Sequence, residues 1–160
     1  MKWVLRIVLG LAALLALLAL VALGARFADG PIALLPGGPF TSGEWVEEPD
    51  VDWSFAAGIE EIELQSGDPP RSRTTWIVVL DGEAYVPCSL SFPPAKTWHL
   101  EAMTNPEAVV RVDGKRYRRR LEKVDDAALG QRLREAVRAK YPPPPGGGGE
   151  AWFFQLAPTV

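Results

Sequence analysis

Arg71, Ser72, Arg73, Thr74 and Thr75 put two guanidinium groups and three hydroxyls into one short stretch of this 160-residue chain. Planar guanidinium forks and hydroxyl donors suit a phosphate or carboxylate, so the stretch is a candidate anion site. The competing reading is a charged, capped turn that balances the acidic residues before it. A second group, Lys96, Trp98 and His99, follows the stiff Pro93-Pro94 pair. A cation, an indole and an imidazole there can line a flavin-sized pocket, or the two rings can simply pack. His99 is the single histidine. With no acid to orient it and no nucleophile beside it, it belongs to no triad, and no catalytic residue is assigned.

A third group, Lys115, Arg116, Arg118, Arg119, Arg120 and Lys123, crowds one stretch near a tight turn. Strand alternation places Arg116, Arg118 and Arg120 on one face, and Tyr117, Arg119 and Leu121 on the other. The stretch reads as an exposed edge strand whose charges discourage pairing, with anionic lipid headgroups as the alternative partner. The single cysteine, Cys88, cannot form an internal disulfide, and no His/Cys cluster is present for zinc. Every charged residue from 44 to 68 is acidic, but the spacing fits no calcium loop. No metal is expected.

The elements that must position these residues are mostly strands. Apolar, β-branched runs reach Asp81-Gly82 and Asp113-Gly114 and then resume with alternation, which predicts two antiparallel hairpins with tight two-residue turns. Residues 74–80 and 84–88 form the first hairpin. Trp76, Val78 and Leu80 share one face and Ile77 and Val79 the other, so this strand should be buried on both sides and central. Residues 66–72 compose a turn, and Ile59, Ile62 and Leu64 mark an earlier strand with Trp53 and Phe55 beside it. Residues 125–141 carry Ala128, Leu129, Leu133 and Val137 at helical spacing, after a capping aspartate and before prolines. The Pro/Gly run at 142–149 should be a mobile loop, and the aromatic run Trp152-Phe153-Phe154-Gln155-Leu156 a closing strand.

The remainder delivers this unit to a place. Residues 7–25 carry no charge and are about as long as a membrane-crossing helix requires. Residues 1–26 therefore read as an uncleaved transmembrane anchor, with a signal peptide as the alternative, because small residues at Ala22 and Gly24 offer a cleavage site. Lys2 and Arg6 precede the run and Arg26 follows it, which favours an inside N-terminus and an extracytoplasmic domain. Residues 27–52 form a Gly/Pro-rich linker, too apolar for free solvation, expected along the domain or the membrane surface. Residues 53–160 make the domain. A net charge of -3 argues against a nucleic-acid partner.

The order of these features resembles the split β-barrel proteins of the flavin-binding, pyridoxamine-phosphate-oxidase-like group, nearest their deazaflavin-dependent nitroreductase branch. The resemblance rests on Arg73-Thr74-Thr75, Asp81-Gly82 with Tyr85, Trp98, Asn105-Pro106-Glu107 before residues 109–112, Gly114 to Tyr117, and Lys140-Tyr141-Pro142. It implies a mainly β fold with one packed helix, a possible homodimer, and FMN or a deazaflavin held through its phosphate by residues 71–75. In that branch a glycine-rich basic turn grips the phosphate, whereas here Pro69 and Pro70 remove two backbone N–H donors. Two functions follow as expectations. One is a membrane-anchored split-barrel domain that binds a small anionic ligand or partner without a catalytic constellation. The alternative is a flavin- or deazaflavin-dependent reductase.

Overall fold

Both Asp-Gly pairs adopt the backbone that their hairpins need: φ is 55° and 82° at Asp81 and Gly82, and 48° and 75° at Asp113 and Gly114. Two successive positive φ angles twist the chain in the sense of the flanking strands, so each pair sets a register without strain at its glycine. The computed structural model describes residues 2–94, 96–142 and 149–159. The order is helix α1 (Lys2–Ala25), strand β1 (Glu44–Val46), a 3-10 turn (Trp53–Ala56), β2 (Glu61–Ser66), β3 (Arg71–Trp76), β4 (Val78–Leu80) and β5 (Glu83–Ser89). There follow α2 (Trp98–Glu101), β6 (Glu107–Val112), β7 (Lys115–Lys123), α3 (Ala127–Lys140) and β8 (Ala151–Pro158).

The strands form one sheet in the order β3-β2-β6-β7-β8-β5-β4, with β1 added in parallel beside β7. The path starts and ends on a single stretch of chain, residues 71–80, interrupted only at Ile77. The sheet therefore curls until both of its edges lie on that stretch, which makes a split β-barrel, mainly β with one long packed helix. Ile77 is the corner. It is fully buried, and its backbone leaves the ladder as the strand changes partner from β2 to β5.

Buried backbone groups at such a corner need partners elsewhere. They find them at the end of α3. The Ile77 N–H donates to the Tyr141 hydroxyl at 3.1 Å, and that hydroxyl lies 2.6 Å from both the Ile77 and Glu60 carbonyls, donating to one at a time. Lys140 donates to the carbonyls of Ile59 and Ile77. The Tyr141 ring stacks on Trp76 at 4.2 Å. Helix α3 reaches this point because Asp126 caps its start, accepting from the Leu129 N–H, and because the extended backbone of Tyr141 stops it.

The expected double burial of the first hairpin strand is present. Ile77 and Val79 join the barrel interior with Leu64, Val86, Val110 and Phe154, while Trp76, Val78 and Leu80 pack outside against Leu133 and Val137 of α3. The run at 152–156 lies within β8, between β5 and β7, and completes the curl. The expected mobile loop at 142–149 falls largely outside the described residues.

One expectation is overturned. The arginine-rich stretch is no edge strand, because β7 pairs with β6, β8 and β1 and so carries more partners than any other strand. Its charges are accommodated by direction. Arg116 and Arg118 stack on Trp45, Arg118 pairs with Glu47 and Arg120 with Glu107 on the outside. Residues 27–52, expected as a linker, lie against the barrel. Arg111 holds them through Asp29 (2.9 Å) and the Phe40 ring (4.3 Å) while also bonding Glu63. Gly37 pairs by two backbone hydrogen bonds with Ser72 on the outer edge of β3.

Candidate functional site

Strand β3 does not present residues 71–75 as one cluster, because successive side chains point to opposite faces. Ser72 and Thr74 face the linker, where their hydroxyls donate to the carbonyls of Gly38 at 2.7 Å and Ala33 at 3.2 Å. Those two are consumed by holding the linker. Arg71, Arg73 and Thr75 sit opposite Ser66, Leu64 and Ile62 of β2, whose buried side chains mark the inner face. Arg71 ends that row by donating to the Arg26 carbonyl at 3.3 Å. The turn expected at 66–72 is thus shorter at both ends, since Ser66 belongs to β2 and Arg71 and Ser72 already belong to β3.

Arg73 goes inward. Its guanidinium lies 5.3 Å from the Trp98 ring. Burial brings its pKa down to about 10, against the pull of Glu101. The structure thus brings together Arg73, Trp98 and His99 from the two sequence groups. His99 is 9% exposed, with its ring edge-on to Trp152 at 5.4 Å, and burial, then the Lys96 cation, pushes its pKa below the usual imidazole range. Lys96 donates to the Phe92 carbonyl, and the nearest carboxylate, Glu101, already accepts from the Thr97 hydroxyl at 2.6 Å.

Among the described residues, three buried side-chain polar atoms have no hydrogen-bond partner: Ser66 Oγ, Arg73 Nη1 and His99 Nδ1. An unmet buried polar group costs about 1–3 kcal/mol, and more when charged, so orphans clustered in one region ask for an explanation. These three do share a region. Ser66 and Arg73 are on the inner face of neighbouring strands, two residues apart in register, and Arg73 lies over the ring that precedes His99. Ser66 also lines a 250 Å³ cleft with Gly67, Asn105, Ala108 and Arg118. Sequence reasoning missed Ser66, a plain serine at the end of a strand with no chemical signal in its neighbours.

A larger cleft of 590 Å³ lies on the other side of the barrel, lined by Asp50, Asp52, Trp53, Asp81, Glu83 and Arg119 among others. Arg119 is 2% exposed. Strand alternation had put it with Tyr117 and Leu121, which is the inner face. It donates to the carbonyls of Arg118 (2.9 Å) and Glu48 (3.4 Å) and sits over the Trp53 and Tyr117 rings, while burial lowers its pKa. Both of its terminal nitrogens are occupied, so its role is to seal this end of the barrel. Three of the acids around it are occupied too, since Asp52 caps the 3-10 turn, Asp81 pairs with Arg132 and Glu83 accepts from Gln155.

Cys88, beneath the Arg73 cluster, is buried, and that burial pushes its thiol up to about 11. Burial likewise raises Tyr141 to about 12 and moves Tyr85 and Tyr117 upward. All four are acids that hold their protons longer folded than unfolded. Their contribution is fully present below about pH 9 and is lost as pH climbs through 9–12. Urea midpoints should therefore fall steadily over that window. Cys88→Ala should flatten its first part, a term of at most about 3 kcal/mol, whereas level midpoints from pH 8 to 11 would contradict the assignment.

Neither a family model nor a curated protein matches this chain. Two solved structures are similar to it. A putative pyridoxamine 5'-phosphate oxidase from Listeria innocua is 15% identical over 63% of this chain and 85% of that one, with a TM-score of 0.45. A NimC/NimA family protein from Clostridium acetobutylicum is 18% identical over 63% of this chain and 75% of that one, with a TM-score of 0.43. The activities in those names are properties of those proteins.

Proposed function

We propose that this protein is a membrane-anchored split-barrel module that binds a small anion at the barrel end capped by α2, with no catalytic constellation of its own. The observation that carries the reading is the cluster of orphaned polar atoms around Arg73. A half-buried guanidinium with one buried nitrogen unmet and no carboxylate partner is costly, and a bound anion offsets that cost by charge and by hydrogen bonding. Ser66 and His99 supply one hydroxyl and one imidazole nitrogen to orient it, and Trp98 and Trp152 supply apolar walls. Helix α1, 24 residues and about 36 Å long, supplies the anchor.

Titrating the full-length protein in nanodiscs with inorganic phosphate, short carboxylates, FMN and a deazaflavin, while following tryptophan fluorescence and flavin emission, tests the reading. A small anion should bind, and Arg73→Ala should weaken it at least tenfold, about 1.4 kcal/mol. Unchanged affinity removes Arg73 from the site. A bound chromophore in the purified protein, or tight binding of a flavin alone, replaces the binding-module reading by the reductase one.

A further inference from the structure

Outside α1, the large apolar side chains left exposed among the described residues are Phe27, Ile32, Leu34, Leu35, Phe55, Phe92, Leu100 and Met103. Half of them fall within nine consecutive residues, 27–35, immediately after the helix. Phe27 and Leu34 are each 90% exposed. Such concentration of apolar surface in one short segment marks a contact surface, since scattered single exposures are the ordinary pattern.

The segment is held rigidly in this presentation. Ile32 and Leu35 exchange both backbone hydrogen bonds around a tight turn, with Ala33 at φ 52°. Gly38 N–H donates to Ala28, Gly37 pairs with Ser72, and Thr74 donates to Ala33. Gly37 is required there, because a Cβ would collide with the Gly30 carbonyl. The one acid in residues 27–43, Asp29, is turned to the barrel. It pairs with Arg111 and accepts from Ser42 and Thr41, with the Ser42 hydroxyl first among the causes that hold its carboxyl well below the usual range. Asp29 is exposed but its charge is paired with Arg111, which lessens its opposition to burial of the tip, and Arg26 and Arg71 stand at its base.

We infer that residues 27–35 form a foot set into the headgroup–acyl boundary of a bilayer, with Phe27, Ile32, Leu34 and Leu35 as its sole. The inference rests on α1 crossing that bilayer. Only Arg26 separates the last residue of α1 from Phe27, so a spanning helix delivers the foot at headgroup depth, where apolar and aromatic side chains partition favourably and arginines meet lipid phosphates. The foot then fixes the height and tilt of the barrel on the membrane. A helix alone would leave the barrel free to swing.

The test places an environment-sensitive fluorophore, in separate full-length proteins in lipid nanodiscs, at Leu34→Cys, Leu14→Cys and Glu135→Cys. Buried Cys88 labels little, and the unmodified chain measures that background. The Leu34 probe should be blue-shifted, quenched by lipids spin-labelled near the headgroup, and several-fold less accessible to aqueous iodide than the Glu135 probe. The Leu14 probe should be quenched by lipids labelled deep in the acyl chain. A Leu34 probe as open to iodide as the Glu135 probe, with Leu14 still deep, overturns the foot and leaves the anchor standing. If the Leu14 probe is also open to iodide, both fall together.

Discussion

Trp53→Ala should lower the unfolding free energy by about 3–5 kcal/mol, the largest single loss expected in this chain. Trp53 is 1% exposed and packs in the barrel interior, with its ring 5.0 Å from that of Tyr117 and 5.7 Å from that of Phe55. It also covers the Arg119 guanidinium. Truncation removes the indole's transfer free energy, leaves a void that a barrel wall closes poorly, and admits water beside a cation whose bonds are to carbonyls alone. Urea unfolding of the full-length protein in mild detergent, followed by circular dichroism, measures it. A loss below about 1 kcal/mol would mean that the 3-10 turn is an ornament on the barrel and no part of its core.

The second large effect is expected at Tyr141→Phe, which keeps the stack on Trp76 and deletes one oxygen. That oxygen serves the Ile77 N–H and two carbonyls in a 6% exposed position. Because it leaves a buried donor unmet, the cost should reach about 2–3 kcal/mol, above the roughly 1 kcal/mol of an ordinary hydrogen bond. Lys140→Met should cost less, since the Tyr141 hydroxyl still meets the Ile77 carbonyl. The same urea experiment ranks the two, and a Lys140 variant weaker than the Tyr141 variant would move the corner's main support to the ammonium group.

The turns and the helix were legible because their signals are local. Asp-Gly demands positive φ, Asp126 with Leu129, Leu133 and Val137 writes a capped amphipathic helix, and an uncharged run of that length has few uses. Strand order is a different matter. The arginine-rich run reads as an edge by composition, yet β7 lies inside the sheet because Trp45, Glu47 and Glu107, distant in sequence, cover its cations. Of the candidate residues, Arg73 and the Trp98–His99 pair, read as two separate groups in the sequence, lie together in space. Arg71, Ser72 and Thr74 were grouped with Arg73 because they adjoin it at the start of a strand. Strand alternation from Arg71 onward separates them at once. Ser66 had no signal to give, since its interest arises from what surrounds its hydroxyl, and nothing in residues 71–80 marks Ile77 as the place where one strand becomes two.

That corner also orders the birth of the molecule. The bonds that close the barrel join Ile77 to Tyr141, 64 residues later, and β8 must still be made before β5 and β7 gain their shared neighbour. Closing so long a loop is entropically slow and cannot begin until its far end exists. A chain leaving the ribosome therefore carries a bare edge on β5, and later on β7, until β8 emerges. Two unpaired strand edges are an invitation to wrong pairing. The last twenty residues decide whether the earlier ones have been kept from one another, or from neighbouring chains, long enough to close.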